Sequence, residues 1–399
     1  MSYQTKLEQL EQKKAALQKS SPARDRLVAL FDEGTFVELD ALAACGEEGV
    51  GVITGYGSVE GDVVYAFSQD VTTLGGAVSR AHAAKIAKLY ELAVKNGSPL
   101  VAIYDSNGAK LSEGPEILAS YGKILSDAAN LSGVVPQIAV IAGSCVGISA
   151  MMACSADFVV MAKDASLYLA DAQGDATAEA ASKAGVADLV CEDAEAAVRK
   201  ARELISMLPL NNLSTAPVFE GASSDAAAEM EPAELIKAVC DADTVVELKG
   251  ECAVSAVTAL ASVGGSTVGV VYANGRMGRK SNEKIADFVR FCDCFNLPVV
   301  TFVNVEGYCE CGAKTESAKS AAKLARAYAD ATTAKITVYA GSAVGGAAVA
   351  FGNADLRIAW PGAVISALDP LTAVEFFWHD KLKGAEDVAA LRKQLAEEY

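Results

Sequence analysis

Short apolar runs alternate with longer amphipathic stretches along most of the chain. In the first half, the run PLVAIYDS precedes the segment EILASYGKILSDAANL, and a second apolar run, IAVIA, follows. Apolar runs of about four to eight residues between turn residues are typical of buried strands, whereas apolar residues three and four apart are typical of helices. Strands and helices in alternation predict an α/β fold with mostly parallel sheets covered by helices.

The same order of elements occurs twice. The segment KIAKLYELAVKNGSPLVAIYDSNG, from Lys85, aligns with KIADFVRFCDCFNLPVVTFVNVEG, from Lys284, at an offset of 199 residues. Downstream, QIAVIAGSCVG from Gln137 aligns with KITVYAGSAVG from Lys335 at an offset of 198. A nearly constant offset indicates an internal duplication, so the sequence predicts two homologous domains.

Composition changes mark the expected domain boundaries. The segment EGASSDAAAEMEP, from Glu220, is polar and rich in small residues, as linkers are. The first residues, including KLEQLEQKKAALQ, have helical spacing and are expected to serve packing or subunit contact. We therefore predict an N-terminal helical arm over 1–40, a first domain over 41–225 and a second over 235–399.

Charge and hydropathy exclude several classes of function. The chain has 51 acidic and 34 basic residues, a net charge of −17, which disfavours binding to nucleic acid. Its charged amino-terminal segment lacks the apolar run of a signal peptide. The most apolar segment, from Ile138, contains Asp157 and fits a buried strand, turn and helix better than a membrane span.

The cysteine and histidine content predicts no metal site. There are two histidines, and none of the ten cysteines forms a CxxC pair. Reduced, mostly buried thiols are expected. Metal binding or oxidation stays open as an alternative for the two pairs with CxC spacing: Cys292 with Cys294, and Cys309 with Cys311.

Each half carries a turn of small residues between an apolar strand and a helix start. These turns are GSCVGIS, from Gly143, and GSAVGGA, from Gly341. Small residues let a ligand approach backbone N–H groups, which are unpaired where a helix begins. Such groups can stabilise a developing oxyanion, although glycines that only allow close strand–helix packing are the alternative. No GxxxxGK[ST] loop and no GxSxG elbow occurs in the sequence.

Blocks of sequence in both halves resemble one known family. In the first half these are GYGSVEGDVVYAFSQD, LGGAVSRAHAAKIAKLYELAVKNG and SGVVPQIAVIAGSCVGISAMM, and in the second DFVRFCDCFNLPVVTFVNVEGY, VGGA and AWP. Together they resemble the carboxyltransferase family of biotin-dependent acyl-CoA carboxylases, which includes the α subunits of biotin-linked acyl-CoA decarboxylases. From Ser21 onward, the resemblance implies two crotonase-like (ClpP/crotonase) domains and an active site at a dimer interface.

The resemblance also implies a reaction and its site residues. A carboxyl group moves between biotin, held by a separate carrier protein, and the acyl group of a coenzyme A thioester. By family position, Gly147 and Ile148 form the oxyanion hole of the acyl-CoA domain, and Gly346 and Ala347 that of the biotin domain. The biotin ureido nitrogen takes the α-proton, which suits a chain with only two histidines.

Several side chains are candidates for substrate binding. The cations that could meet the CoA phosphates are Arg80, Lys85, Lys88 and Lys110, with ordinary solvated helix charge as the alternative for each. Ser149, directly after the first turn, is a candidate for substrate contact. Val349 lies where the family sets acyl-chain preference, and it either lines the acyl pocket or belongs to the core.

Departures from the family pattern keep other functions open. Ile148 replaces a glycine of the family turn CAGGA, and the second-half loop ANGRMGRKSNEK is shortened. A non-biotin crotonase-type CoA hydrolase, with Ser149 as nucleophile, and a non-catalytic scaffold subunit are therefore the alternatives.

The resemblance implies partners and leaves the direction of reaction open. The chain would carboxylate acetyl- or propionyl-CoA, or decarboxylate methylmalonyl-, malonyl- or glutaconyl-CoA. It has no biotinyl AMKM motif, so a biotin carboxyl carrier protein is expected, together with a biotin carboxylase or a membrane decarboxylase subunit. A homo-oligomer, from dimer to hexamer, is also expected, as is a cytoplasmic location, either free or peripheral to a membrane complex.

Overall fold

The computed structural model describes residues 3–17, 19–45, 48–170, 174–221, 232–309 and 314–398. The chain divides into two compact units, Met1–Pro217 (unit 1) and Val218–Tyr399 (unit 2). Residues 222–231 of the predicted linker, and Cys311 of one CxC pair, lie outside the described residues.

Unit 1 contains one large mixed sheet, a separate two-stranded antiparallel sheet formed by its second and third strands, and covering helices. Its strands are β1 Val37–Leu39, β2 Ala44–Cys45, β3 Glu48–Gly49, β4 Val52–Val59, β5 Asp62–Gln69, β6 Leu100–Ser106, β7 Gln137–Val146, β8 Phe158–Ala162, β9 Ser166–Tyr168 and β10 Leu189–Cys191. Its helices are α1 Tyr3–Leu17, α2 Pro22–Leu30, α3 Arg80–Asn96, α4 Glu116–Leu131, α5 Ile148–Ala153, α6 Ala178–Ala184 and α7 Ala194–Met207. The sheet order is β1-β4-β5-β6-β7-β8-β10, with β9 paired to β7.

Unit 2 repeats this plan. Its strands are β11 Val246–Leu248, β12 Ala256–Val263, β13 Ser266–Met277, β14 Val299–Tyr308, β15 Lys335–Val344, β16 Leu356–Ala359 and β17 Val364–Ser366. Its helices are α8 Pro232–Val239, α9 Arg279–Cys294, α10 Lys314–Asp330, α11 Gly345–Val349, α12 Pro370–Phe377, α13 His379–Lys383 and α14 Val388–Glu398. The order is β11-β12-β13-β14-β15-β16, with β17 paired to β15.

The strand registers preserve the duplication seen in the sequence. The β6–β7 pair begins with Leu100 opposite Gln137, and the β14–β15 pair begins with Val299 opposite Lys335. In each sheet the first strands are antiparallel and the central strands are parallel. The predicted α/β fold is therefore confirmed.

Local sequence explains the elements that carry the site. Helix α3 begins where the Ser79 side chain accepts a hydrogen bond from the His82 amide, and it ends at Gly97, whose φ is +62°. Its buried face includes Ile86 and Leu89. All seven residues of β6 are buried, as expected for a parallel strand with helices on both faces.

Helix α2 belongs to the packing of unit 1, although the sequence placed it in a separate arm. It begins at Pro22 behind the N-cap Ser21, and three of its side chains are completely buried: Ala23, Leu27 and Leu30. Burying each leucine contributes roughly 2 kcal/mol. At its C-terminal end the Arg202 guanidinium donates to the Leu30 carbonyl at 2.9 Å. The amino-terminal segment is thus fixed to unit 1 by α2.

The two units differ at the last strand of each repeat. Every residue of β8 is buried, whereas every residue of its counterpart β16 is exposed. In unit 1, α7 packs against β7 and β8. In unit 2 the chain instead continues through β17 into α12, and large apolar side chains stay exposed there, among them Ile358, Ile365 and Phe376. Unit 2 therefore presents an apolar face next to its glycine-rich turn.

Membrane and metal features are absent from the described ranges. No helix there is both long and apolar enough to cross a bilayer. No group of three or more His, Cys, Asp or Glu side chains there is placed to hold a metal ion. Seven described cysteines are free thiols, but Cys309 is disulfide-bonded, which departs from the expected reduced state at that position.

Candidate functional site

The first glycine-rich turn joins β7 to α5. Gly147 has a φ of +63°, which favours glycine, and its amide donates to the Tyr168 carbonyl at 2.9 Å. The amide of Gly147 is therefore already used inside the protein. Ile148 is the first residue of α5, so its N–H has no intrahelical acceptor. Ile148, and not Gly147, is the available donor at this turn.

The second turn joins β15 to α11 with the same geometry. Gly345 has a φ of +58° and occupies the position of Gly147, because the repeat offset here is 198. Gly346 then corresponds to Ile148 and is exposed, and Ala347 is buried. The predicted pairs are thus one residue out of register with each other, and the equivalent amides are those of Ile148 and Gly346.

The side chain of Ile148 packs against the hydrophobic core of unit 1 and is only partly exposed. The branched side chain that replaces the family glycine is therefore accommodated within the unit. Its amide stays at the helix start, where a substrate oxygen would approach.

A second backbone segment lies beside each turn. Val78 pairs with Ala109, with hydrogen bonds of 2.9 Å from the Val78 amide to Gly108 and from the Lys110 amide to Val78. In such parallel pairing the N–H of Ala109 points away from Val78. The end of β6 also pairs Ser106 with Cys145, so Ala109 lies near the turn.

Unit 2 repeats this segment. Met277 pairs with Tyr308, and the Cys309 amide donates to the Met277 carbonyl at 2.9 Å. The Tyr308 hydroxyl donates to the Gly346 carbonyl at 3.3 Å, which joins the segment to the second turn. Sequence reasoning missed Ala109 and Tyr308, although the segments DSNGAK and NVEGYC, aligned at the offset of 199 residues, place the two opposite each other.

Ser149 does not face a substrate. It is completely buried, and its hydroxyl lies 3.4 Å from the hydroxyl of Tyr121, itself buried. This position fits neither the predicted substrate contact nor the nucleophile of the hydrolase alternative. Val349, by contrast, is 69% exposed at the end of α11 and can contact a ligand at the second turn.

Three of the predicted CoA-binding cations remain accessible. Arg80 is exposed and contacts Glu116 at 2.6 Å, and Lys88 is exposed and contacts Asp40 at 2.7 Å. Exposed ion pairs contribute little stability, so phosphates can replace these carboxylates. Lys110 is partly exposed at the start of the turn after β6.

Lys85 has a structural contact instead. It is 6% exposed, and its ammonium donates to the Val52 carbonyl at 2.8 Å. Burial lowers the pKa of the Lys85 ammonium. In unit 2, Lys284 donates in the same way to the Ala256 carbonyl at 2.7 Å. The repeat of this contact shows that both lysines hold the start of a strand, and Lys85 is not placed to bind a phosphate.

No side chain at the turns acts as an obvious base. His82 is completely buried beside Gln69, and burial lowers the pKa of its imidazole to about 3. The imidazole is therefore neutral and inaccessible at physiological pH. What the site offers is backbone N–H groups, which suit the stabilisation of negative charge on oxygen.

A cavity of 310 Å³ lies elsewhere in unit 1. Among its lining residues are Lys19, Arg24, Glu38 and Lys85. Apart from Lys85, none of the predicted site residues lines it. This cavity is therefore separate from the glycine-rich turns.

The family follows from comparison with known proteins. Residues 18–399 match the sequence profile described as the carboxyl transferase domain. The chain belongs to this family. The methylmalonyl-CoA decarboxylase subunit alpha of Propionigenium modestum is 36% identical, over 94% of this chain and 83% of the relative. The propionyl-CoA carboxylase beta chain of Roseobacter denitrificans is 35% identical, over 92% of this chain and 82% of the relative.

A solved structure supports the same assignment. The transcarboxylase 12S structure with methylmalonyl-coenzyme A and methylmalonic acid bound matches with a TM-score of 0.91 and 31% identity. The match covers 100% of this chain and 89% of that chain. The predictions of the carboxyltransferase family, of a crotonase-like fold and of a carboxyltransferase enzyme are confirmed.

Proposed function

We propose that this family member transfers a carboxyl group between biotin on a separate carrier protein and a methylmalonyl- or propionyl-CoA acyl group. The observation that carries the proposal is the pair of equivalent turns, each with an amide in the first two residues of a helix: Ile148 in unit 1 and Gly346 in unit 2. The acyl group is chosen because the similar proteins are named for methylmalonyl-CoA and propionyl-CoA.

The proposed chemistry needs two negatively charged oxygens to be held. In decarboxylation, the bond from the α-carbon to the carboxylate breaks, and its electron pair passes into the thioester as an enolate. The amides of Ile148 and Ala109 donate to the enolate oxygen of the thioester. The amides of Gly346 and Tyr308 are placed to donate to the ureido oxygen of biotin. Biotin, when bound there, would supply the ureido nitrogen that accepts the carboxyl group and gives up its proton to the α-carbon of the enolate.

Three cations of unit 1 are proposed to bind the CoA phosphates: Arg80, Lys88 and Lys110. In this arrangement the CoA phosphates replace Glu116 and Asp40, the surface carboxylates that Arg80 and Lys88 now contact. Val349 of unit 2 is proposed to contact the acyl chain. The fit of biotin rests on the backbone donors at the second turn, where Gly346 is exposed and has no side chain to shield its amide.

Turnover with defined substrates tests this proposal. The protein is mixed with a biotinyl carrier domain and, in separate reactions, methylmalonyl-, malonyl- and glutaconyl-CoA, and carboxylation of the carrier, the decarboxylated acyl-CoA and free thiol are followed. We expect carrier-dependent conversion of methylmalonyl-CoA to propionyl-CoA, matched by carboxylated carrier, without thiol release. Carrier-independent thiol release would support the hydrolase alternative, and no turnover of any substrate would support the scaffold alternative.

Arg80 and Lys85 should behave differently when replaced. We expect Arg80→Ala to raise the KM for the acyl-CoA about 3- to 10-fold with kcat unchanged, because it removes uniform phosphate binding. Lys85→Met is expected to lower the melting temperature and leave KM unchanged, because it leaves the Val52 carbonyl without its donor. Steady-state kinetics and thermal unfolding measure both. A larger KM change for Lys85→Met than for Arg80→Ala would contradict this assignment.

We also propose that the apolar face of unit 2 binds a second copy of the chain. Ile365 of β17 is 60% exposed, and β17 pairs with β15, the strand that leads into the second turn. Exposed apolar patches of this kind mark subunit contacts. The similar transcarboxylase 12S structure is described as a hexamer.

Sedimentation measures this interface. Ile365→Glu places a charge on the apolar face, and we expect the mass of the particle to fall to that of a monomer with loss of turnover. Val254→Glu is the matched control, since Val254 is 85% exposed in the turn before β12 and belongs to none of the elements β16, β17 and α12 that carry this face. An Ile365→Glu variant with the mass of the wild-type oligomer would show that this face is not the interface.

A further inference from the structure

One side chain lies directly beneath each glycine-rich turn, at the same place in both repeats. A Cβ on Gly143 would overlap Oδ1 of Asp105, and a Cβ on Gly341 would overlap Oδ1 of Asn304. Asp105 is near the end of β6 and Asn304 near the end of β14, 199 residues apart. Gly143 and Gly341 lie four residues before Gly147 and Gly345. Glycine is needed at both positions because each backbone is in close contact with the side chain of Asp105 or Asn304.

Both side chains occupy an irregularity in strand pairing. In unit 1 the register moves from Tyr104 opposite Ile141 to Ser106 opposite Cys145. Two extra residues of β7 therefore bulge out opposite Asp105. In unit 2 the register moves in the same way, from Val303 opposite Tyr339 to Val305 opposite Ala343. A bulge of this kind redirects the strand that follows, and here that strand leads into the turn.

In unit 2 a pair of amides holds the bulge. The Asn304 side chain accepts a hydrogen bond from the Ser342 amide at 2.9 Å and donates to the Asn274 side-chain oxygen at 2.9 Å. Ser342 is itself part of the bulge and lies four residues before Gly346. The backbone position of the second turn is thus tied to a neutral side-chain pair.

In unit 1 an ion pair takes this place. The Arg26 guanidinium contacts the Asp105 carboxylate at 2.9 Å, and the two side chains are only 14% and 11% exposed. The Asp105 amide also donates to the Gln69 side chain at 3.2 Å. Removing one member of so buried a pair leaves an uncompensated charge, whereas removing both charges together need not. Arg26 belongs to α2, so the amino-terminal helix is connected to the site.

We propose that Asp105 with Arg26 is the positioning pair of the first oxyanion turn, and that Asn304 with Asn274 is its counterpart at the second. The two oxyanion turns are the glycine-rich turns that contain Ile148 and Gly346. Calling them oxyanion turns rests on the proposed function, but the role of the two side-chain pairs in positioning the turns does not depend on it. Neither pair touches the reacting atoms. Each acts through the bulge, which sets where the amides of Ile148 and Gly346 point.

Hydrogen exchange and kinetics of three variants test the proposal. Asp105→Asn and Arg26→Gln each leave one buried charge, and the double variant makes the pair neutral, as it is in unit 2. In each single variant we expect faster amide exchange in peptides covering residues 138–152 and a kcat about 10- to 100-fold lower at unchanged KM. In the double variant we expect most of both effects to be reversed.

A matched ion pair provides the control. Arg202→Gln breaks the contact of Arg202 with Asp32 in unit 1, where the two side chains are 25% and 27% exposed. It is expected to lower thermal stability without changing exchange at residues 138–152. If a unit 1 single variant does not fold, Asn304→Asp, which places an unpaired charge beside Asn274, is expected to speed exchange over residues 336–350.

The results separate this proposal from the proposed function. Unchanged exchange at residues 138–152 in both single variants would overturn it, as would equal acceleration in Arg202→Gln. A double variant whose amide exchange and kcat are no closer to the wild type than those of the single variants would also contradict the proposal that Asp105 and Arg26 act as a pair. A wild-type protein without turnover would reject the proposed function, while the exchange result would still decide the positioning role.

Discussion

Replacing Ile148 by proline is expected to lower the kcat for carboxyl transfer by about 100- to 1,000-fold, with a loss of thermal stability similar to that of Ile148→Ala, because both variants lose side-chain packing on the core. Proline has no amide hydrogen, so the variant loses the donor proposed to hold the thioester enolate oxygen. The ring is tolerated at the first residue of a helix, where the N–H has no intrahelical acceptor. The preceding residue, Gly147, tolerates the restriction that proline imposes on it, since it is a glycine.

Two further variants at the same position isolate the amide from the side chain. Ile148→Ala keeps the N–H and removes most of the side chain that packs on the core, so kcat should stay close to that of the wild type. Ile148→Gly also keeps the N–H and restores the family turn. With methylmalonyl-CoA and a biotinyl carrier, a kcat for Ile148→Pro within about threefold of that for Ile148→Ala would show that this amide is not the donor.

The sequence was sufficient to locate both turns, because each combines a strand, small residues and a helix start. It was not sufficient to assign the donors. Both predicted donor pairs came from family position. Nothing in the local sequence shows that Tyr168, 21 residues after Gly147, supplies an acceptor for the Gly147 amide. At the second turn, the repeat offset alone instead matches Gly345 and Gly346 to Gly147 and Ile148.

Helical spacing does not predict whether the ammonium of Lys85 is exposed to a ligand or buried in the fold. Its place on α3 near Arg80 and Lys88 suggested a cationic surface, yet its ammonium is buried against the Val52 carbonyl, 33 residues away. The duplication does indicate a structural role for Lys85, because Lys284 occupies the same position in the second half. A lysine present in both halves is more easily explained by the shared fold than by a ligand of one half.

Two further features of the structure depend on contacts between residues far apart in the sequence and could not be predicted from it. Arg26 and Asp105 are 79 residues apart, so the link between the amino-terminal helix and the turn leaves no local pattern. The strands DFVVMA and DLRIAW look alike as sequences, but β8 is covered and β16 is exposed. Burial of these strands depends on which later segment packs on them, and only unit 1 has α7 to do so in the described part of the chain.

Mixing two inactive variants is expected to restore activity, because the family resemblance implies an active site at a dimer interface, with its first turn from one subunit and its second from the other. The two variants are Ile148→Pro, which lacks the unit 1 donor, and Gly346→Pro, which lacks the unit 2 donor. Gly346→Pro should fold, since the nearest atom to a Cβ there is a ring carbon of Tyr308 at an ordinary 3.7 Å. Each variant alone carries one defect in every site.

In a mixed dimer the two defects fall into the same site. One site then combines both altered turns and is inactive, while the other combines two intact turns. If subunits assemble at random, half of the dimers are mixed, and each has one intact site of two. The total activity of the mixture is therefore expected to be about a quarter of that of the wild type. Each variant alone should stay at or below about 1%.

Coexpression of both variants in one cell, followed by purification and assay with methylmalonyl-CoA and a biotinyl carrier, measures the restored activity. Mixing the two variants after each has assembled alone is the control, and it should restore activity only as fast as subunits exchange. A coexpressed mixture that stays as inactive as either variant would place both turns of a site in one subunit. Recovery to about a quarter would require that the site is shared, because no single chain in the mixture has two intact turns.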